Sequence, residues 1–279
     1  MKTLIKIWAV ISFAVIIFAA IFIFIFILYK GRNALSLDFL LGKPEGIILG
    51  KEGGIFPAIV GSLYTCLISS IISSVFAVSS AIYLVFYNKN KYINSCFDIV
   101  FQCIAGIPSV VLGLFGYAML VLYLGLGKSI LSMSITQSIM ILPFIAIRMK
   151  KILKELDKDI INSSYALGIS KSYTIIHIVS KEIGVKALSV IMLANAFAIG
   201  AAAPLMFTGA VINAPTASSI FKPSMVLPYH LYILLTQGIS QQNAYAAAFV
   251  LLSIVLLLNF FAVFLRFLRI MILKNRYKI

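Results

Sequence analysis

Ser62, Ser69, Ser73 and Ser80 recur at intervals of seven, four and seven residues, which places four hydroxyls on one face of a helix. Two roles fit such a stripe. Small hydroxyl residues let helix backbones approach and bond to carbonyls one turn back, and the same hydroxyls can line a path for an anion or another solute. Packing is the weightier reading, and the path stays open. Two other patches interrupt apolar runs: Gly106, Pro108, Ser109, Gly113 and Gly116 in one, Asn195, Gly200, Ala203, Pro204 and Thr208 in the other. Breaks of this kind are tolerated inside a bilayer where protein or a water-filled cavity satisfies the freed backbone, and transporters use them beside substrate sites. A kinked, gate-like element is expected at the first patch, although a purely structural kink would read the same. The candidate path or gate set is therefore Ser62, Ser69, Ser73, Pro108, Ser109, Asn195, Pro204 and Thr208.

Enzymatic chemistry finds little to work with. The two histidines, His177 and His230, fall in different connections, and neither has a metal-ligand neighbour at helical spacing. Cys66, Cys96 and Cys103 lie in or beside apolar runs without metal-type spacing and read as packing residues. No phosphate-cradling G-x-x-x-x-G-K-[ST] loop occurs, so ATP hydrolysis would belong to a partner. Asp98, expected near the cytoplasmic end of the third run where it can reach water, is the one acidic residue within a span. Proton-coupled carriers use buried titratable groups, so this chain is poorly equipped to supply its own energy. No catalytic residue, metal or cofactor is expected.

The elements that must position these residues follow from composition. With 62% hydrophobic and 11% charged residues and a mean hydropathy of +1.09 over 279 residues, a water-soluble fold is excluded. Crossing the hydrocarbon takes about 20 apolar residues per helix, and six runs qualify: 7–29, 58–87, 97–124, 129–147, 187–210 and 244–267. The first is too long for the core of a cleaved signal peptide and reads as a retained helix. Residues 31–57 read as a polar loop in water, and 148–186 as short amphipathic helices outside the bilayer. Basic residues stay preferentially on the cytoplasmic side, and an N-in arrangement places 17 of the 23 Lys and Arg residues there. Both termini are thus expected inside. The net charge of +15 is a topology signal, and no nucleic-acid partner is expected.

One further cluster adds a family. Tyr165, Ala166, Leu167 and Gly168, followed by Ile175, Ile176 and Ile178, resemble the coupling loop of bacterial ABC importer permeases, a short helix, a glycine turn and a second helix that dock on an ATPase. Gly53–Ser62, Gly106–Val111 with Gly113–Gly116, Ala203–Gly209 and Leu227–Tyr232 narrow the resemblance to the phosphate-importer branch, nearer its PstA-type than its PstC-type subunits. The resemblance implies an all-α polytopic fold of six transmembrane helices with the type I, MetI-like permease architecture, in a bacterial inner (plasma) membrane. It implies as partners a homologous PstC-type permease, PstB-type ATPase subunits, an extracytoplasmic phosphate-binding protein and the lipid bilayer. It assigns ATPase coupling to Asn162, Ser163, Ser164, Ala166 and Gly168. The division expected is 1–52 for the first helix and external loop, 53–270 for the permease domain and 271–279 for a basic tail.

Two departures from the family pattern stand out. Asn162, Ser163 and Ser164 occupy the place of Glu-Ala-Ala, and Phe197 and Ala201 replace an arginine and a glutamate associated with the anion path. Losing both charges together strands neither, and a lone buried charge would cost several kcal/mol. Three readings follow: the partner permease supplies the anion-binding charge, which is favoured; the substrate is another oxyanion; or the chain has drifted toward a passive channel or assembly subunit.

Overall fold

The computed structural model of the chain describes residues 2–46, 50 and 52–276. Helix α1 (Lys2–Gly31) is an apolar rod with almost its whole surface exposed, as suits a helix facing lipid. It is held at one end against the last helix, α12 (Gln241–Arg276), by Phe24 on Phe249 and Phe26 on Tyr245. A methyl group on Gly31 would sit 2.7 Å from the Ala246 amide nitrogen, so glycine permits this approach.

The connection after α1 is more ordered than a watery loop. It forms α2 (Leu37–Leu41), N-capped by Ser36, and a two-residue antiparallel ladder of β1 (Pro44–Glu45) and β2 (Glu52–Gly53). Phe39 and Ile55 bury their side chains, so part of this segment belongs to the core.

Helix α3 (Phe56–Ile82) opens with Pro57 in its first turn and continues through a wider π-helical stretch to Tyr87. After an Asn90 cap comes α4 (Lys91–Gly106), and α5 (Ser109–Gly116) follows at a bend of 96° around Ile107–Pro108. Proline has no amide hydrogen to donate and disfavours a helical conformation in the residue before it, which accounts for the break. Helix α6 (Ile130–Lys154), capped by Ser129, is the central element: α3, α4, α5 and α9 (Ser180–Ala198) all pack on it. Ala77, Ala81, Phe101, Ile141, Ile145, Met149, Val190 and Ala194 form the main core among these helices.

Among the described residues four helices are individually long and apolar enough to cross a membrane, and the bent α4–α5 pair, taken as one span, makes a fifth. The expected span 187–210 is two pieces, α9 and the short α10 (Ala203–Thr208). Its first turns carry Lys181, Glu182 and Lys186, so α9 extends beyond the apolar run toward water. Residues 148–186 also differ from the expectation, because α6 runs unbroken to Lys154 and buries Leu153. Only α7 (Lys158–Ala166) and α8 (Lys171–Tyr173) are short separate helices, and α8 continues through a π-helical stretch, Thr174–Val179, into α9. A ten-residue helix, α11 (Leu227–Thr236), lies in the connection between α10 and α12. Of the expected tail, 271–276 continue α12, and 277–279 lie outside the described residues.

Candidate translocation seam and coupling knob

The serine stripe is the seam between α3 and α6. Ser62, Ser69 and Ser73 are buried to 3% or less, while Ser80 is partly open. Ser69 and Ser73 donate to the carbonyls of Cys66 and Ser70, and Ser62 accepts from the Leu227 amide at 2.7 Å, capping the start of α11. Small side chains here let two helices pack closely while each of the four serine hydroxyls keeps a partner. The stripe is closed to solute in this conformation.

Gln137, which sequence reasoning did not single out, ties three helices together. From α6 its side-chain oxygen accepts from Ser69 Oγ of α3 at 3.0 Å, and its Nε2 donates to the Ala198 carbonyl of α9 at 2.7 Å. That carbonyl, in the last turn of α9, also accepts from the Ala201 amide at 3.0 Å, so Gln137 is its second donor and ties the helix end to α6. Asn195, one turn earlier, donates to Ser70 Oγ at 3.0 Å. A lone glutamine amid Ser and Thr in an apolar run was the available signal, because a buried amide in a span needs a partner on another helix.

The two broken patches meet one another. Helix α5 lies along α10 and α6, and a methyl group on Gly113 would stand 2.8 Å from the Ala203 carbonyl and 3.0 Å from Pro204 Cα. Gly116 abuts Thr136 and Thr208 in the same way. Pro204 and Thr208 are buried, with Thr208 donating back to the Pro204 carbonyl at 2.8 Å. Pro108 is exposed and Ser109 half-buried at the bend, while Phe197, 61% exposed, and Gly200 mark the open side of the α9 break. Ala201 sits half-buried beside it. Of the candidate path residues, then, Pro108 and Ser109 reach an open surface, Asn195 is partly open, and the others are packed between helices.

At the opposite end of α9 stands a knob. Helix α7, N-capped by Asp157, ends at Leu167, and Gly168 takes a left-handed conformation (φ 75°) that reverses the chain. The Ile169 amide returns to the Ser164 carbonyl and the Gly168 amide to Tyr165, which closes the helix end. Asn162, Ser163, Ala166 and Gly168 are exposed, as is Leu167 at 79%. Ser164 is buried instead and meets Thr174 Oγ1 at 2.8 Å, fastening α7 to the following helix. Thr174 was missed by sequence reasoning. Beyond the knob, Lys171 lies over the Tyr87 ring at 4.7 Å and Ser172 meets the Tyr87 hydroxyl at 3.4 Å, so the knob also touches the end of α3.

Asp98 does not simply reach water. Lys150 of α6, 7% exposed, bonds it at 2.6 Å and latches α4 to α6 below the bend. Asp98→Asn is expected to strand the lysine charge and lower stability by about 1–3 kcal/mol, below a fully buried pair because the carboxylate is 44% exposed. Adding Lys150→Met should restore most of it. Thermal midpoints of the two single variants and the double variant check this.

His230 of α11 is 3% exposed, among the described residues neither ring nitrogen has a hydrogen-bond partner, and burial pushes its pKa down to about 4. An unfolded chain protonates this ring near pH 6.5, so stability is full above that value and falls as pH drops from about 6.5 to about 4. The expected slope is about 1.4 kcal/mol per pH unit. His230→Leu should remove it, as pH-dependent unfolding would report.

The chain covers 68% of its own length in matching a phosphate transport system permease protein, PstA 2, of Mycobacterium bovis, at 29% identity over 193 residues. The match spans 64% of that relative's length. It is 25% identical over 236 residues, 80% of each chain, to a probable ABC transporter permease protein, YqgI, of Bacillus subtilis, and 28% identical over 207 residues, 71% of this chain and 67% of the relative, to a PstA permease protein of Mycobacterium leprae. Its fold matches a chain of the MetNI methionine ABC transporter, solved in inward-facing conformations, with a TM-score of 0.57 at 14% identity, covering 75% of this chain and 93% of that one. The arrangement of broken spans around α6 is therefore a MetI-like permease fold. Residues 73–269, from mid-α3 into the last helix, match the family model for binding-protein-dependent transport system inner membrane components. The chain belongs to the binding-protein-dependent transport system inner membrane components.

Proposed function

We propose that this chain is one of two homologous permease subunits of an ATP-driven phosphate importer, with both termini and the α7–α8 knob in the cytoplasm. One observation carries the reading: the knob and the seam are two ends of one rod. From Lys171 to Ala198 the chain is helical without interruption, so a push on the knob is delivered at Asn195, Phe197 and the carbonyl that Gln137 holds. Names of relatives supply the cargo, phosphate, and basic-residue placement supplies the orientation. Energy comes from a separate ATPase that docks around Asn162, Ser163, Ala166 and Gly168, with Ser164 holding the knob rigid. A binding protein outside delivers the anion, and the partner permease supplies the cation that Phe197 and Ala201 cannot. Ser109, Asn195 and the break at Gly200 border the path, and Pro108 is its hinge.

Proteoliposomes holding the chain with its co-purifying subunits test this. Phosphate uptake should require internal ATP and the binding protein, and sulfate and molybdate should compete weakly. Flux without nucleotide would instead make the chain a passive channel, and equal competition would make it a general oxyanion permease. Phe197→Arg adds a surplus cation to the open side of α9, and uptake should fall rather than rise. A several-fold gain would show that this subunit, and not its partner, sets anion affinity.

A further inference from the structure

At the cytoplasmic ends of α6, α9 and α12 the helices part around a cavity of about 660 Å³. Its charged lining is Arg148, Lys151, Lys186 and Arg266 with Glu155 and Glu182, four cations to two carboxylates. Lys151 pairs with Glu155 at 3.9 Å and Lys186 with Glu182 at 3.7 Å, both along their own helices. The arginines are different. Among the described residues neither Arg148 nor Arg266 has a carboxylate within 4.0 Å, and Arg148 lies flat on the Phe144 ring at 4.4 Å.

Their depth decides what could face them. Arg148 directly follows the apolar run 129–147 and Arg266 stands one residue before the end of the run 244–267, so both lie at the edge of the apolar part of their helices. Guanidiniums at that level sit where phospholipid phosphates and the first methylenes lie. Val190 and Leu193 carry an apolar wall further along α9 into its apolar part, and Ile152 and Val185 stand among the charged residues. A charged rim over an apolar wall matches a phosphodiester headgroup with its acyl chains, whereas a free anion would leave the apolar wall unused. The excess of two positive charges also favours an anionic headgroup over a zwitterionic one.

We propose that the α6–α9–α12 cleft is a binding site for an anionic phospholipid, with Arg148 and Arg266 as its phosphodiester contacts. The site is separate from the transport reading, and its test requires no transport. The full chain with its co-purifying subunits, delipidated in mild detergent, is titrated with phosphatidylglycerol, diphosphatidylglycerol, phosphatidylcholine or inorganic phosphate, and bound lipid is read by native mass spectrometry. Both anionic lipids should be retained, phosphatidylcholine should not, and inorganic phosphate should fail to displace them. Arg148→Gln with Arg266→Gln should weaken retention about thirty-fold, while the paired Lys substitutions stay within a few-fold. Equal retention of phosphatidylcholine, or unchanged retention in the Gln pair, overturns the proposal. Displacement by inorganic phosphate overturns it in favour of a free-anion site. If the Gln pair does not fold, the headgroup comparison on the unmodified protein decides alone.

Discussion

Replacing Gln137 by leucine is expected to lower stability by about 2 kcal/mol, because two hydrogen bonds between helices are lost together. Leucine fills much of the same space, so the cost is not chiefly one of volume. The Ala198 carbonyl keeps its bond from the Ala201 amide but loses the 2.7 Å donor that ties it to α6, and a lost hydrogen bond costs about 1 kcal/mol net. The bond from Ser69 disappears with it, though Ser69 keeps its Cys66 carbonyl. For a chain of this size the midpoint should fall by about 4–8 °C. Ser69→Ala, which removes one hydroxyl and leaves Gln137 on Ala198, should cost only about 1 kcal/mol. Equal effects from the two variants would mean that the amide does not hold the end of α9.

Gly168→Asp should abolish uptake and co-purification of the ATPase while leaving the permease as thermally stable as before, to within about 1–2 kcal/mol. A Cβ at Gly168 would meet nothing within 4 Å, so the only structural penalty is the left-handed backbone, φ 75°. What changes is the exposed tip, where a carboxylate would stand beside Leu167 and Ala166. Gly168→Ala carries the same backbone penalty without the charge and should retain part of the activity. Unchanged co-purification with persistent uptake in the aspartate variant would remove the knob from the coupling role. A Thr174→Val variant probes the same link from within, since it cuts the 2.8 Å contact to Ser164 while leaving the tip intact.

The spans were legible in the sequence because run length is a local property: Ile7–Tyr29 needs no knowledge of its neighbours to be recognised as a membrane helix. The bend at Pro108 was legible for the same reason, since proline acts on its own turn. What periodicity could not supply was partnership. Ser62 has the same spacing as Ser69, yet one caps α11, 165 residues away, and the other bonds Gln137. Asp98 looked water-facing because its counter-ion lies 52 residues on, at a position that reads as one more basic residue at the start of a loop. Ser164 and its neighbour Ser163 looked alike, and only the fold distinguishes the buried staple from the exposed tip. Connections were read least well, as α2 and α11 owe their order to apolar residues such as Phe39 and Leu227 that pack on distant helices.

The seam between α3, α6 and α9 is held by hydroxyls and amides: Ser69, Ser70, Gln137 and Asn195. Sliding such groups past one another carries no net charge through the bilayer. An elementary charge crossing it would exchange about 2.3 kcal/mol with a 100 mV membrane potential, but a neutral seam exchanges none. The voltage across the membrane therefore has no grip on this set of contacts as it opens or closes, and the electrical work associated with its rearrangement is left to the cargo and to whatever charged groups move with it.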